Sequence, residues 1–282
     1  MEKIDGKAIA QQIKENVKQK VQAEYLDQNK PAPCLACIIV EGNSASEVYV
    51  ANKEKACKEC LLDSKIVRLA NGVSQQELED VIAKLNADNN VSGILLQLPL
   101  PKHLNSDSAL NKISPYKDVD CLTTKNLGAL FSSKPIIAPC TATGIIKILD
   151  NQNVQIEGKR AVVIGRSLLV GKSVANLLEQ RNATVTICHS KTQNMQEITK
   201  QADILVVAVG NPEYITSDYV KEGAVVIDVG INRTQNGLKG DVDFASVSQV
   251  CSKITPVPGG VGPLTVACLM ENTLTLDKLR NN

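Results

Sequence analysis

The chain of 282 residues is long enough for one large domain or two ordinary ones, and its 43% hydrophobic and 22% charged residues are those of an ordinary globular protein. Its 31 Lys and Arg against 30 Asp and Glu leave a formal net charge of +1, without the basic excess expected of a nucleic-acid or anionic-membrane binder. Aromatic residues are 2% of the chain, too few for a base-stacking surface.

The first segment, MEKIDGKAIAQQIKENVKQKV, carries acidic residues early and lacks a continuous apolar run, so it reads as an amphipathic helix over 5–28 and not as a signal peptide. A strand is expected over CLACIIVE (34–41), then a helix from Ser44 to Cys60, where Ser44 and Glu47 fit a Ser-x-x-Glu capping box. Strand 64–70, a helix over 75–88 behind Ser74, and strand 92–99 follow. These strand runs are apolar throughout instead of alternating, the pattern of a parallel sheet covered on both faces. From 104 to 139 the sequence turns rich in Pro, Ser, Asn and Asp, which reads as a short helix and then long functional loops.

After Thr141 a helix is expected to about Gln152, and a second series opens with strand KRAVVIG (159–165). Strands ATVTIC (183–188), DILVVAV (203–209) and AVVIDVG (224–230) continue it, with a last strand near 253–255 and a final helix from Gly262 to Arg280. The expected fold class is α/β with two domains, the second a Rossmann-like doubly wound parallel sheet. Leu264, Ala267, Cys268 and Leu274 on the final helix need a partner surface. Packing them on the first domain makes it discontinuous, 1–140 plus 263–282, around a second domain at 141–262. No run of about 18 apolar residues occurs, so no membrane span is expected. Nine cysteines, an odd number set in apolar runs such as CLACIIV and TVTICHS, read as reduced, mostly buried thiols in a cytoplasmic protein.

Two constellations carry chemistry. In VVIGRSLLVGKSVANLL the spacing Gly165-x-Ser167-x-x-x-Gly171, between a strand and a helix, is a degenerate dinucleotide fingerprint with serine for the middle glycine. A tight turn, close backbone approach and free N–H groups at a helix start suit a phosphate; a structural turn without ligand fits the same spacing. The next strand ends in Cys188-His189-Ser190-Lys191-Thr192 with no acid for a ribose hydroxyl pair, while Lys191 and Arg166 can meet a 2′-phosphate. That favours NADP over NAD, against the plainer reading of Lys191 as a solvated charge.

The second constellation lies in EVYVANKEKACKEC (47–60). Tyr49 and Lys53 stand at i and i+4 on one helix face, and spacing alone fits a solvated pair as well as a catalytic one. Cys34-x-x-Cys37 and Cys57-x-x-Cys60, with residues 38–56 between them, match a zinc template. The first pair reads as strand, where residues three apart face opposite ways, and the second as helix without the turns that let thiolates converge, so no metal is expected.

Six segments together resemble the bifunctional methylenetetrahydrofolate dehydrogenase/cyclohydrolase (FolD) family over essentially the whole chain. They are Tyr49-Val-x-x-Lys53, QLPLP (97–101), KDVD (117–120), PCTATG (139–144), VIGRSLLVGKS (163–173) and TPVPGGVGPLTVA (255–267). The resemblance implies a folate-binding catalytic domain and an NADP-binding domain in the compact, two-activity form. It implies oxidation of 5,10-methylenetetrahydrofolate with NADP+ and hydrolysis of the resulting methenyl cation to 10-formyltetrahydrofolate. By match to the family motifs, Lys53 is the principal catalytic residue, chiefly for hydrolysis, which a lysine of depressed pKa suits. Tyr49 lies over the folate, Gln97 holds Lys53, and Asp120 binds the pterin, with Asp118 the competing carboxylate, ranked structural. Gly260 and Pro263 border the folate pocket. Gly165, Arg166, Ser167, Gly171, Ser190 and Ile231 contact NADP, with Thr141 and Gly144 near the nicotinamide. A homodimer with cofactor domains in the contact is also implied, with no nucleic-acid or membrane partner.

The sequence departs from the family pattern at Cys60 and Cys121, where glycine is usual, and at Ala142 and Ser173, where proline is usual. Cys121 bears most on function, since it follows Asp120 directly. The rival readings are an NADP-dependent hydroxy-acid dehydrogenase, against which the VPGGVGPLT loop argues, and a non-catalytic nucleotide binder, which has no need of Lys53 or Gln97. A histidine-centred hydrolase fits less well: His103 and His189 have no visible nucleophile partner.

Overall fold

The computed structural model describes residues 1–235 and 237–281; the side chains of Ser44, Ala45 and Asn281 lie outside what is described. In chain order the elements are β1 (Glu2–Lys3), α1 (Gly6–Glu24), β2 (Cys34–Val40), α2 (Ser44–Glu59), β3 (Asp63–Leu69), α3 (Gln75–Ala87), β4 (Gly93–Leu96), α4 (Ser106–Lys112), α5 (Thr124–Phe131) and α6 (Cys140–Asn151). They continue as β5 (Arg160–Ile164), a π-helical turn (Leu168–Lys172), α7 (Ser173–Gln180), β6 (Thr184–Cys188), α8 (Met195–Thr199), β7 (Ile204–Val207) and β8 (Val225–Asp228). The hairpin β9 (Asn232–Thr234) and β10 (Gly237–Lys239), α9 (Phe244–Val247), β11 (Lys253–Ile254) and α10 (Val261–Asn281) complete the chain.

The chain divides into two compact units, Gln11–Ala138 with Val266–Asn282, and Met1–Ala10 with Pro139–Thr265. The expected division differs chiefly at the N-terminus. Residues 1–10 join the second unit because β1 pairs in parallel with β11, Glu2 opposite Lys253 and Lys3 opposite Ile254.

In the first unit a parallel sheet runs β3-β2-β4, with Cys37 opposite both Ile66 and Leu95. Alternate β2 residues Ala36, Ile38 and Val40 pack with Leu78, Ile82 and Leu85 of α3 and with Ile94 and Leu96 of β4. Each large aliphatic side chain buried there contributes about 1.5–3 kcal/mol. Helix α3 starts at a reciprocal cap: Ser74 Oγ accepts the Glu77 N–H, and Glu77 accepts the Ser74 N–H at 2.9 Å. The loop-rich stretch expected over 104–139 holds a second helix, α5. Only eight residues long and carrying Gly128, it is too short for its periodicity to stand out. Its N-terminus is held by Thr123, whose Oγ1 accepts the Asn126 N–H at 3.3 Å. Residues 266–281 of α10 meet this unit at Met270, against Cys57 at 3.7 Å, and at Asn272, which donates to the carbonyls of Val119 and Ala138.

The second unit is built on a six-stranded parallel sheet in the order β1-β11-β8-β7-β5-β6. From β5 the chain passes first to one side, β6, then to the other, β7, which sets a topological switch point at the carboxyl end of β5. Open α/β sheets bind ligands in that crevice. Strands β7 and β8 are buried along their whole length, as unbroken apolar runs require.

The thiols are free, and all but the partly buried Cys34 are buried. Burial pushes Cys57, Cys60 and Cys121 up to about 12 and Cys37 to about 11, so they remain protonated at neutral pH. Among the described residues no group of three or more His, Cys, Asp and Glu is arranged to hold a metal ion. A thiol reagent at pH 8 is expected to modify Cys34 first and to reach the remaining eight thiols at rates limited by unfolding, with all nine reacting at once in denaturant. Counting the modified thiols against time checks this, and several fast thiols in native protein would contradict the burial.

Candidate active site

Helix α2 begins behind Asn43, whose Oδ1 accepts the Ser46 N–H at 3.3 Å and whose carbonyl accepts the Glu47 N–H at 3.4 Å. The expected Ser44–Glu47 capping box rests on the Ser44 side chain, which lies outside what is described; Glu47 gives both carboxylate oxygens to Arg68 on β3, at 2.7 and 2.9 Å. The register places Tyr49 and Lys53 one turn apart, Tyr49 41% exposed and Lys53 half-buried. Below them Val50, Ala56 and Cys57 are buried and hold the helix to its unit.

Lys53 Nζ donates to Gln97 Oε1 at 2.8 Å. Gln97 is 8% exposed, just beyond β4, where its N–H extends the ladder to the Ile38 carbonyl. Its amide nitrogen donates to the Leu98 carbonyl at 2.7 Å. An ammonium only donates, so the amide oxygen must face it, and the Leu98 bond fixes the same orientation from the other side. The lysine is therefore held by a side chain that is itself held.

Asp118 and Asp120 separate cleanly in environment. Asp118 is buried and accepts the N–H of Leu122 at 3.0 Å, the N–H of Thr123 at 2.8 Å and the Asn126 amide at 3.0 Å. These bonds close the turn that carries Asp120, which is only partly buried. Cys121 sits inside the turn at φ +57°, the left-handed region that glycine enters at least cost, with its Sγ donating to the Ile137 carbonyl at 3.4 Å. Cysteine here strains the backbone by about 1 kcal/mol, and the Asp118 bonds hold the turn closed nonetheless. Lys117, buried beside them, donates to the carbonyls of Leu85 and Asp88 past the end of α3; burial lowers its ammonium from its ordinary value, and Arg280 adds to the effect.

The remaining expected site residues lie in the second unit. Gly165 has φ +128°, and a Cβ on it would stand 2.2 Å from the Ala208 carbonyl oxygen, so only glycine fits. A Cβ on Gly171 would stand 2.2 Å from the Gly165 oxygen, which brings the helix start onto the turn. Ser167 caps that start, its Oγ accepting from the N–H groups of Val170 at 3.3 Å and Gly171 at 3.4 Å. Arg166 and Ser167 are exposed beside it. Ser173, the departure from proline, is buried and donates to the Leu168 carbonyl at 2.5 Å.

Beyond β6 the segment 189–192 is a tight turn, closed by Thr192 Oγ1 accepting the His189 N–H and His189 Nδ1 accepting the Lys191 N–H, with Ser190 and Lys191 exposed at its tip. No carboxylate stands on that tip. Ile231 is 48% exposed after β8. Thr141 and Thr265 meet hydroxyl to hydroxyl at 3.2 Å. Gly144 is buried where a Cβ would stand 3.0 Å from that of Leu264, so its small size serves helix packing. Gly260 is buried, with room for a hydrogen only against Pro256 and Thr255, and Pro263 lies in the first turn of α10.

The arrangement thus brings Lys53 and Gln97 into contact and sets Asp120 on a turn braced by Asp118, while the nucleotide-type glycines cluster at the switch point. Sequence reasoning passed over Lys117, Asn126, and two buried carboxylates of the second unit, Asp228 and Asp241. The legible signal for Asp228 was an acid at the end of a strand, in AVVIDVG. Burial raises Asp228 to about 6, opposed by hydrogen bonds from the backbone N–H groups of Asp241, Val242 and Gly230.

Comparison with known proteins agrees over the whole chain. The model of the tetrahydrofolate dehydrogenase/cyclohydrolase catalytic domain matches residues 4–120, and that of the NAD(P)-binding domain of the same family matches residues 139–281. The bifunctional protein FolD of Campylobacter hominis is 52% identical over 281 residues, 99% of this chain and 98% of the relative. The crystal structure of the bifunctional FolD methylenetetrahydrofolate dehydrogenase/cyclohydrolase from Campylobacter jejuni superposes with a TM-score of 0.95 at 46% identity, covering 99% of each chain. That of the Trypanosoma brucei enzyme, complexed with NADP cofactor and inhibitor, gives 0.94 at 39% identity, covering 99% of this chain and 98% of the other. With both family models matched in order and relatives at this identity along nearly the full length, the chain belongs to the tetrahydrofolate dehydrogenase/cyclohydrolase family.

Proposed function

We propose that this chain oxidises 5,10-methylenetetrahydrofolate to the 5,10-methenyl cation with NADP+ and hydrolyses that cation to 10-formyltetrahydrofolate. The observation that carries the reading is the 2.8 Å bond from Lys53 to Gln97, in a chain of this family. The oxidation takes hydride from a carbon flanked by two nitrogens, whose lone pairs stabilise the amidinium that results. It therefore asks the protein for placement more than for a base. NADP+ supplies the hydride acceptor when bound.

Hydrolysis asks for more. Water adds to the amidinium carbon and loses one proton; the resulting hydroxyl then gives up its remaining proton as the bond from that carbon to N5 breaks and N5 takes up a proton, leaving the formyl group on N10. One proton is released overall. Lys53 is the group that moves protons here, and Gln97 keeps its Nζ in one place through both transfers. Tyr49, exposed one turn away, lies over the folate. Asp120 accepts from the donor edge of the pterin, on a turn that Asp118 keeps rigid. Gly260 and Pro263 border the folate, their backbone compact enough for close approach.

The second unit fits NADP by its own features: a Gly165 turn with no room for a Cβ, a capped helix start behind it, and cationic Arg166 and Lys191 without an acid at the tip of β6. Arg166, Ser167 and Ser190 meet the 2′-phosphate end, with Thr141, Gly144 and Ile231 toward the nicotinamide. The division of labour we infer is folate chemistry chiefly in 1–140 plus 263–282 and NADP in 141–262, although residues 1–10 fold with the second unit. The same reading makes the protein a cytoplasmic homodimer. The outer strand β6, exposed at Thr184, Thr186 and Ile187, offers an edge for a second copy, and free thiols suit a reducing compartment.

Reduced-cofactor formation from methylenetetrahydrofolate, run in parallel with NADP+ and NAD+, tests the reading directly. Turnover favouring NADP+ is expected; turnover favouring NAD+ would keep the enzyme and remove the role given to Arg166 and Lys191. Lys53→Met is expected to lose hydrolysis of the methenyl substrate by about 100-fold or more while NADP+ still binds, and unchanged hydrolysis would refute the role of the lysine. Asp120→Ala is expected to weaken folate binding in both reactions by about tenfold, the loss of one charge-assisted hydrogen bond. A binding titration with unaltered folate affinity would remove Asp120 from the site.

A further inference from the structure

The loops that follow β7 and β8 stand at the carboxyl ends of the parallel strands, and a third segment, 240–242, holds both. Asp241 is fully buried. Its Oδ2 accepts the N–H groups of Val209 at 2.7 Å and Gly210 at 2.9 Å, just beyond β7. Its Oδ1 accepts the Asn232 amide at 2.8 Å, one residue past Ile231. The Asp241 N–H in turn donates to Asp228 Oδ1 at 3.0 Å, at the end of β8, and that oxygen also takes the Gly230 N–H at 2.9 Å. Asp228 Oδ2 takes the Val242 N–H at 3.0 Å.

Close packing excludes other arrangements. A Cβ on Gly230 would stand 2.3 Å from the Asp241 carboxyl carbon, and one on Gly240 would stand 1.8 Å from Asp228 Oδ2. The clasp is itself anchored, since Gly240 and Asp241 accept at their carbonyls from the N–H groups of Glu213 at 2.9 Å and Ile215 at 3.0 Å. It reaches the nucleotide turn through one residue: Ala208, next to the tethered Val209, supplies the carbonyl against which Gly165 packs. The apolar side chains carried on the two clasped loops, Val209 and Ile231, are 36% and 48% exposed.

We propose that Asp241 is a positioning residue for the nicotinamide cofactor: its carboxylate locks the loop tips 208–210 and 229–232 into one geometry and so acts on NADP without touching it. This rests on the reading that the second unit binds NADP. A carboxylate serving the fold alone would tie together core strands. Asp241 ties the ends of loops, where a backbone shift of an ångström moves Gly165 and Ile231 while leaving the apolar strands in place.

Asp241→Ala removes all three side-chain contacts, and the KM for NADP+ is expected to rise about tenfold or more. The KM for methylenetetrahydrofolate and the hydrolysis of methenyl substrate supplied directly should change less than about threefold. Asp241→Asn keeps an amide oxygen for Val209 and Gly210, and Asn232 can turn its own amide to present oxygen to the new NH2. The KM for NADP+ should then return to within about threefold of the unaltered enzyme. An alanine variant that melts earlier with an unchanged KM for NADP+ overturns the proposal, as does an asparagine variant as impaired as alanine. Should Asp241→Ala fail to fold, Asn232→Ala carries the test. It frees only Oδ1 and should raise the KM for NADP+ about threefold, and no change would count as refutation. An unaltered enzyme that reduces no NADP+ removes the parent reading; an active one with a flat variant series removes this proposal alone.

Discussion

A lysine ammonium can be fixed in space by a side-chain amide oxygen, a neutral acceptor that does not compete for its proton. The Lys53 to Gln97 bond is such a fixture, and several features of the first unit are needed to make it. Helix α2 has to sit at one height and rotation over β2, which its buried stripe and the Asn43 cap provide. Gln97 has to leave β4 in register with Ile38, and its amide has to be turned by the Leu98 carbonyl. Had glutamate stood at 97, a charge-assisted ion pair would have replaced this bond to a neutral acceptor.

Both units use the same device to shape loops, a buried carboxylate that accepts backbone N–H groups. Asp118 closes the turn under Asp120, and Asp241 with Asp228 closes the ends of β7 and β8. Such an acid needs several donors to offset the loss of water, and it has them in each case. The result is irregular backbone with the rigidity of a strand. Loops of that kind can present a functional side chain accurately, as regular elements do, while adopting curvature that no helix or sheet allows.

The alternation of apolar strands with amphipathic helices was readable because burial on both faces writes itself as uninterrupted hydrophobic runs, and the two sheets follow from it. Gly165 and Gly171 were readable for the same kind of reason, since close backbone contact admits one residue type. Elements stabilised by a few specific bonds were not. Helix α5 is short and depends on Thr123 and Asp118, and β1 is two residues long and exists only because β11, far along the chain, is there to pair with it. The partnership of Glu47 with Arg68, distant in sequence, was likewise invisible to local patterns. Asp241 had no pattern around it to mark it, because its partners come from three separated segments.

The nine free thiols have a consequence for how long the protein survives. Folded, it hides nearly all of them, and burial keeps the deepest protonated, so oxidants find little to attack. Each excursion to the unfolded state exposes the whole set at once, with ordinary reactivity restored. Outside a reducing environment such an excursion ends in mixed or mispaired disulfides, and the chain cannot return. Longevity in air is then governed by the rate of opening and not by the depth of the folded well, so the same molecule behaves as reversible in the presence of reductant and as a decaying population without it.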